Sequence, residues 1–309
     1  MATERTDVVI VGAGAAGGIL AAELGKAGMK VIGLERGPRL TTQDFDPHDE
    51  LRYFQRQDLR PNIKRQPITW RPNANAPANP IPVQNYGNQA GGGTVHYGAV
   101  SWRLHEDDFR ARSHTIARYG ASAIPEHSSL ADWPLSYADL EPHYDRAEYE
   151  LGVSGKAGNL QGKKVDGGNV FEAPRRRDYP LPPLRLDQGA ILFEAATRKL
   201  GYHPFSTPRA ILSEPYNNRP ACTYCGFCQA FGCHVGAKSS ILVTKLRPRR
   251  IGQYDRGRDR DPLDLHLRQY APVVLVEDRP LSPRTCQFKR PSRQAYDVAY
   301  HGECVRRLR

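Results

Sequence analysis

Hydrophobic residues follow their clearest pattern in the first 36 residues of this 309-residue chain. A short run rich in β-branched residues at Asp7–Val11 predicts a buried strand. The apolar segment Ile19–Leu24 predicts a helix, and a second apolar run at Lys30–Leu34 predicts another strand. The order of strand, helix and strand indicates an α/β protein with a parallel sheet.

The next part of the chain has little regular hydrophobic patterning. Residues 37–85 are polar and rich in proline, which predicts a long irregular excursion with one short helix near Asp49–Gln57. Loops of this length are uncommon in compact domains and often lie along a ligand.

Two further helices are predicted between residues 136 and 201. One follows the turn Asp132–Pro134, is capped by Ser136 or Asp139, and ends at Gly152. Apolar spacing predicts the other over Leu186–Leu200. The residues between the two helices, and those from 202 to 220, are predicted as loops because Gly, Pro, Arg and Asn dominate them.

The net charge of +11 changes this picture only at the C-terminus. Residues 245–309 hold 16 Lys and Arg against 8 Asp and Glu, a net charge of +8, which leaves +3 for the rest. A basic tail is usually a solvated one, so we expect no nucleic-acid binding. No apolar run approaches the roughly 20 residues of a membrane span, and the expectation is a cytoplasmic chain without a signal peptide.

The first chemical motif lies directly after the first predicted strand, where three glycines form the pattern G-x-G-x-x-G. In this setting the glycines permit a tight turn, close approach of a pyrophosphate and close packing of the helix on the sheet. The helix N-terminus adds N–H donors and a positive dipole end. A glycine-rich turn without a ligand is the alternative. The residues predicted to bind a dinucleotide are Gly12, Ala13, Gly14, Ala15 and Gly17.

An acidic residue ends the second predicted strand. Glu35 lies eighteen residues after Gly17, where a carboxylate can accept hydrogen bonds from ribose hydroxyls. This acid disfavours NADP, whose 2′-phosphate it would repel, but the motif does not choose between NAD and FAD. Arg36 follows directly and is included in the predicted cofactor site.

A second glycine run spans Gly91–Gly98. Three consecutive glycines are entropically costly, so the backbone must approach something closely there or adopt positive φ. A second contact to the cofactor and a plain loop are both open interpretations.

Four of the six cysteines form the pattern C-x2-C-x2-C-x4-C, at Cys222, Cys225, Cys228 and Cys233. Thiolates at this spacing can surround an iron–sulfur cluster, although the last interval is one residue longer than in bacterial iron–sulfur runs. Zinc and free or paired structural cysteines are the alternatives.

Taken together, these segments resemble the glucose-methanol-choline (GMC) oxidoreductases, in the branch that contains the gluconate 2-dehydrogenase flavoprotein. The resemblance covers about Thr6 to Thr244. It implies an α/β fold with a Rossmann-like FAD-binding domain of the GMC type, incomplete here and followed by an irregular C-terminal tail. It also implies FAD as the cofactor, with Glu35 on the adenosine ribose. The second glycine run would pass beside the flavin, which adds Gly92, Gly93, Thr94 and His96 to the predicted cofactor site.

The same resemblance implies a reaction and partners. Such enzymes transfer a hydride from a CH–OH group of a sugar, polyol or aldonate to the flavin, and pass the electrons to a separate acceptor. That acceptor would be a cytochrome c, with a small subunit that carries the enzyme to the periplasm. In some relatives a histidine in the position of His96 is bonded to the flavin 8α-methyl; packing without a bond is the alternative.

After Thr244 the resemblance ends. The family's C-terminal histidine pair cannot be placed, because His266 and His301 have no family-like context, so no catalytic residue is assigned. The alternative function is therefore a catalytically inactive fragment that at most binds FAD or a partner. We divide the chain into an FAD-binding segment (1–110), a helical and loop segment (111–220), a cysteine-rich segment (221–244) and a basic, loosely ordered tail (245–309) with one possible strand at Val273–Val276.

Overall fold

The computed structural model describes residues 3–4, 6–61, 67–81, 86–246, 266–269 and 288–289. In chain order the strands and α-helices are β1 (Thr3–Glu4), β2 (Val8–Val11), α1 (Ala15–Lys26), β3 (Val31–Glu35), β4 (Thr69–Trp70), β5 (Asn79–Pro80), α2 (Ala111–Tyr119), α3 (Tyr137–Leu151), β6 (Asn159–Leu160), β7 (Lys163–Lys164), α4 (Gln188–Lys199), α5 (Ile241–Thr244), β8 (His266–Gln269) and β9 (Phe288–Lys289). Most of the described residues between these elements form loops.

The N-terminal strand–helix–strand unit has the predicted order. Strands β2 and β3 pair in parallel, with Val8 opposite Val31 and Val11 opposite Leu34. Strand β8 extends this sheet beside β3, also in parallel, so that the strand order is β2-β3-β8. A parallel pair requires a crossover connection, and α1 supplies it between β2 and β3. The predicted α/β class is confirmed.

Helix α1 packs on the sheet through small side chains. Ala21 and Ala22 are buried, and Ala21 shares a hydrophobic cluster with Ile10 and Val31 of the two strands. At Gly17 a Cβ atom would overlap the carbonyl oxygen of Gly12. Only a glycine at this position lets the helix lie so close to the turn that precedes it.

The largest hydrophobic cluster lies beside the glycine turn. It joins Ala13 of the turn and Val95 of the second glycine run to Ile241 and Leu242 of α5. Phe231, from the cysteine-rich segment, packs in the same cluster. Segments that are far apart in sequence thus form one core around the start of α1.

Helix α3 begins and ends at the predicted residues. Ser136 is the N-cap: its hydroxyl accepts a hydrogen bond from the Asp139 N–H at 3.3 Å, and Asp139 closes a capping box. Gly152, in the left-handed conformation, ends the helix. One face of α3 carries Glu148, which forms ion pairs with the buried Arg103 and Arg175.

A surface network of charges holds α1, α3 and α5 together. Arg146 of α3 bonds Glu23 of α1 at 2.7 Å and Glu150 at 2.9 Å. Lys245, directly after α5, pairs with both carboxylates. These ion pairs connect α1, whose N-terminus lies at the glycine turn, to α3 and to the residue that follows α5.

Helix α4 lies within its predicted range, but none of its residues is buried. The apolar residues that predicted it include Ile191 and Leu192, which are 47% and 62% exposed. The predicted short helix near Asp49–Gln57 is present as a turn of π-helix at Leu51–Gln55. Sequence reasoning missed α2, α5 and the small β6–β7 hairpin.

Few residues of the C-terminal tail are described, so most predictions for the tail stay untested. The possible strand at Val273–Val276 lies outside the described residues, as does most of the tail whose loose order was predicted. Two short stretches of the tail, β8 and β9, are strands in the structure. Across the described ranges, the helices are all too short or too polar to traverse a bilayer.

Candidate dinucleotide-binding site

The turn between β2 and α1 is fixed by backbone hydrogen bonds. Gly12 donates to the Leu34 carbonyl at 2.7 Å, and the Ala13 carbonyl accepts from the Gly91 N–H at 2.8 Å. Gly14 is the N-cap of α1 and provides no side-chain cap. The N–H groups in the first turn of this helix, from Ala15 onward, are therefore available to an anionic ligand.

Glu35 faces this turn from the end of β3. Its Oε2 accepts a hydrogen bond from the Ala13 N–H at 2.7 Å, and its Oε1 accepts one from the Gly37 N–H at 2.9 Å. Each carboxylate oxygen has a second acceptor position, so Glu35 can still bind the hydroxyls of a sugar. Arg36 is exposed beside it. The structure thus brings together the glycine turn and the acid that the sequence singled out.

The second glycine run meets the first across the site. A Cβ atom on Gly92 would lie 3.1 Å from the Cα of Gly14, so the two backbones lie almost in contact. Gly93 has open space where its side chain would be. Gly92–Val95 form a single 3₁₀ turn. This arrangement supports the interpretation of the second run as part of the site over that of a plain loop.

Thr94 has a structural role that the sequence did not indicate. Its hydroxyl donates to the Gly91 carbonyl at 2.5 Å and accepts from the Ile241 N–H at 3.1 Å. The side chain therefore joins the second glycine run to α5. His96 follows this turn, is 6% exposed, and its carbonyl accepts from the Ala230 N–H at 2.8 Å.

Sequence reasoning missed two residues at this site, Asn88 and Gln89. Gln89 is 1% exposed, and its Nε2 donates to the Gly92 carbonyl at 2.9 Å. The backbone at Asn88–Gln89 lies against Gly37, where a Cβ atom would overlap it. Their position directly before the glycine run was the only available sequence signal.

The cysteine-rich segment is organised around Lys238, which is 2% exposed. Its ammonium group donates to the carbonyls of Tyr97, Cys228 and Phe231 at 3.1, 2.5 and 2.7 Å. Burial lowers the pKa of Lys238 to about 8. The same physical cause raises the pKa of the Cys228 thiol. Through Tyr97, Lys238 connects the cysteine-rich segment to the second glycine run.

The four predicted metal ligands are free, half-buried thiols. The Cys222 sulfur accepts from the Tyr224 N–H at 3.3 Å, and the Cys233 sulfur accepts from the Lys238 N–H at 3.5 Å. Within the described part of the chain, no group of three or more His, Cys, Asp or Glu side chains is placed to hold a metal ion. As described, the four thiols do not converge on one metal position, so their arrangement does not fit an iron–sulfur cluster; those of Cys222 and Cys233 accept hydrogen bonds within their own loop.

The parallel β2–α1–β3 unit, its glycine turn and the acid at the end of β3 define the class: an α/β protein with a dinucleotide-binding site.

No family model matches the chain. Curated proteins do match. The gluconate 2-dehydrogenase flavoprotein of Pantoea cypripedii is 36% identical over 258 residues, which cover 79% of this chain and 42% of that protein. The fructose dehydrogenase large subunit of Gluconobacter japonicus is 29% identical over 81% of this chain and 44% of that protein.

These similarities support the GMC oxidoreductase family for this chain, which spans less than half the length of these curated relatives. Among solved structures, pyridoxine 4-oxidase from Mesorbium loti has a TM-score of 0.38 and 18% identity, covering 76% of this chain and 41% of that one.

The residues at the site fit FAD, the cofactor that this family implies. The uncapped start of α1 offers donors for a pyrophosphate, and Glu35 offers an acceptor for sugar hydroxyls. The open space at Gly93 leaves room for a ligand beside the second glycine run. The buried Gln89 Oε1 has no hydrogen-bond partner among the described residues, as expected where a ligand completes a site.

Proposed function

We propose that this chain binds FAD and serves an oxidoreductase that acts on the CH–OH group of a sugar, polyol or aldonate. One observation carries the proposal: the turn before α1, the carboxylate of Glu35 and the backbone of Gly92 meet in one place. Similarity to the GMC family supports FAD as the dinucleotide.

The predicted cofactor residues receive separate roles in this proposal. The backbone around Gly12–Gly17, including Ala13 and Ala15, lines the pyrophosphate site, where the N–H donors from Ala15 onward and the helix dipole converge. Glu35 binds the adenosine ribose, and the exposed Arg36 adds positive charge at the same strand end. Gly92, Gly93, Thr94 and His96 lie beside the flavin, with the Thr94 hydroxyl fixing the turn rather than contacting the cofactor.

Bound FAD would supply the group that accepts a hydride from the substrate carbon bearing the hydroxyl. This chain's residues would hold the dinucleotide and bury its phosphates. No catalytic base is assigned among the described residues. The relatives' names support a sugar-type substrate, since one is a gluconate and another a fructose dehydrogenase.

FAD binding tests the cofactor assignment. Purified protein should show flavin absorption, or should quench the fluorescence of added FAD. Gly14→Leu should abolish binding because the new side chain would fill the gap in front of Gly92. Gly189→Ala, on the exposed helix α4, is the matched control and should bind normally. Protein that neither carries nor binds FAD would reject the proposal.

Turnover tests the enzymatic part. FAD-loaded protein is mixed with gluconate, fructose or a panel of polyols and an artificial electron acceptor, and reduction of the acceptor is followed. Substrate-dependent reduction supports an active dehydrogenase. Tight FAD binding without any turnover would instead support the alternative, an inactive fragment that binds only the cofactor or a partner.

The electron-transfer part of the proposal is supported by cysteine spacing and by the relatives' names. We propose a cytochrome c acceptor and a small partner subunit that carries the complex to the periplasm; one relative is itself named a large subunit.

An iron–sulfur cluster at Cys222–Cys233 requires the thiols to move from their present positions. Anaerobic reconstitution with iron and sulfide, followed by metal analysis, tests it: protein that retains no iron after desalting has no cluster.

A further inference from the structure

The carboxamide of Gln89 is buried beside the site and is only half used. Its Nε2 donates to the Gly92 carbonyl at 2.9 Å, whereas Oε1 has no hydrogen-bond partner among the described residues. Reversing the amide would place its oxygen against the Gly92 carbonyl oxygen, so the Gly92 contact fixes which end is free. Asn88 Oδ1, next to it in sequence, is also buried and unpaired within the described part of the chain.

Asn88 and Gln89 lie between the parts of the dinucleotide site. On one side, the Asn88–Gln89 backbone packs against Gly37, whose N–H binds Glu35. On the other side, Gln89 holds Gly92, which lies against Gly14. A ligand that reaches from the Glu35 carboxylate to the glycine turn passes next to these amides.

The two unpaired amide oxygens, Gln89 Oε1 and Asn88 Oδ1, can bind only certain groups of the ligand. An amide oxygen is only an acceptor, so it requires an O–H or N–H donor. Phosphate oxygens are acceptors and would be repelled by it. The dinucleotide's donors near the pyrophosphate are hydroxyls, on the adenosine ribose and on the ribityl chain.

We propose that Gln89 is a cofactor-binding residue whose Oε1 accepts a hydrogen bond from a sugar hydroxyl of the bound dinucleotide, with Asn88 as a second acceptor. The inference rests on the proposed FAD binding. In this arrangement one side chain both positions the second glycine run and recognises the cofactor's polyol. Because a buried amide oxygen without a donor is destabilising, ligand binding would satisfy a group that has no partner among the described residues.

The test combines variants with ligands that lack single hydroxyls. Binding of FAD, of FAD analogues missing one ribityl hydroxyl, and of ADP with its 2′- and 3′-deoxy analogues is measured by calorimetry on the full chain. Wild-type protein should lose roughly five- to tenfold in affinity for one deoxy ligand. The ADP series reports the adenosine ribose, and the FAD series reports the ribityl chain.

Gln89→Leu should bind the parent ligand more weakly by a similar factor and no longer distinguish it from that deoxy analogue. Gln89→Met repeats the measurement if the leucine variant does not fold, and Gln188→Leu, on exposed helix α4, is the control. Equal losses for every ligand would show a purely structural role and overturn the inference. So would wild-type protein that binds all deoxy ligands as well as their parents. If wild-type protein binds neither FAD nor ADP, the proposed function itself fails.

Discussion

At the residue scale, Lys238 shows how a charged side chain can organise a polar loop. Its ammonium group is enclosed by the carbonyls of Tyr97, Cys228 and Phe231. Burial disfavours the charge and lowers the pKa of Lys238 to about 8, while the three acceptors compensate for the lost hydration. The cysteine-rich segment keeps its position next to the second glycine run through this one group.

Lys238→Met should destabilise the protein strongly. The methionine fits the volume but leaves three inward-facing carbonyls without their donor, so we expect a loss of about 3 kcal/mol in the free energy of unfolding. Lys163→Met, on the exposed strand β7, should change it by less than about 0.5 kcal/mol. Denaturant titration measures both. A Lys238 variant as stable as the control would show that the carbonyls do not need the ammonium group.

A second prediction at this scale concerns His96. Because the side chain is 6% exposed within the protein, little of its surface remains for a bond to a ligand. We therefore expect acid precipitation of flavin-loaded protein to leave the yellow colour in the supernatant. Colour in the pellet that disappears in His96→Ala would instead establish a covalent bond to the flavin.

At the scale of elements, helix α1 sets the geometry of the site. It starts without a side-chain cap, and small residues let it lie directly on the β2–β3 pair. The glycine turn and Glu35 consequently converge at its N-terminus. A change that moves this helix away from the sheet must also open the anion site.

Gly17→Ala tests this dependence. The added methyl group would meet the Gly12 carbonyl, which is backbone and cannot rotate away. We expect a loss of about 2 kcal/mol in stability from overpacking, accompanied by weaker FAD binding. Gly189→Ala in α4 is the matched control, since its methyl group would contact only the Asp187 side chain. The proposed packing would be refuted if thermal unfolding and FAD titration gave wild-type values for Gly17→Ala.

At the scale of the whole molecule, ion pairs join the C-terminal half of α1 to α3. Glu23 bonds Arg146 at 2.7 Å and Lys26 at 3.0 Å. The Arg146 guanidinium, followed by the Lys26 ammonium, lowers the pKa of Glu23 from 4.5 to about 2. Lys245 adds a third positive charge from the end of α5.

This network predicts a defined pH dependence. A carboxylate whose pKa is lowered on folding stabilises the folded state above its unfolded pKa, and this contribution is lost as pH falls toward the folded pKa. Wild-type protein should therefore unfold at higher temperature than Glu23→Gln near pH 6. The difference should shrink as pH falls from 4.5 to about 2. Glu214→Gln, at an exposed position, is the control. A difference that is constant over this range would contradict the ion pairing.

The elements that could be predicted are those specified by neighbouring residues. The β-branched runs, the capping box at Ser136 and the glycine at 152 act within a few residues, so β2, β3 and α3 follow from the sequence. Helix α4 was also predicted by its periodicity, but its apolar face is exposed in the described structure. Periodicity indicates that a helix has an apolar face, but it does not indicate which segment, if any, covers that face.

The sequence by itself determined the class of fold, the glycine turn and the acid at the strand end, because each is specified by residues that are close together in the chain. Tertiary structure alone decided that Gly92 meets Gly14, that Thr94 anchors to α5 and that Gln89 and Lys238 are buried beside these loops. It also decided that two of the four thiols, those of Cys222 and Cys233, accept hydrogen bonds from their own loop. These features depend on contacts between segments distant in sequence, where packing and hydrogen-bond satisfaction of the whole core select one arrangement among many that the local sequence permits.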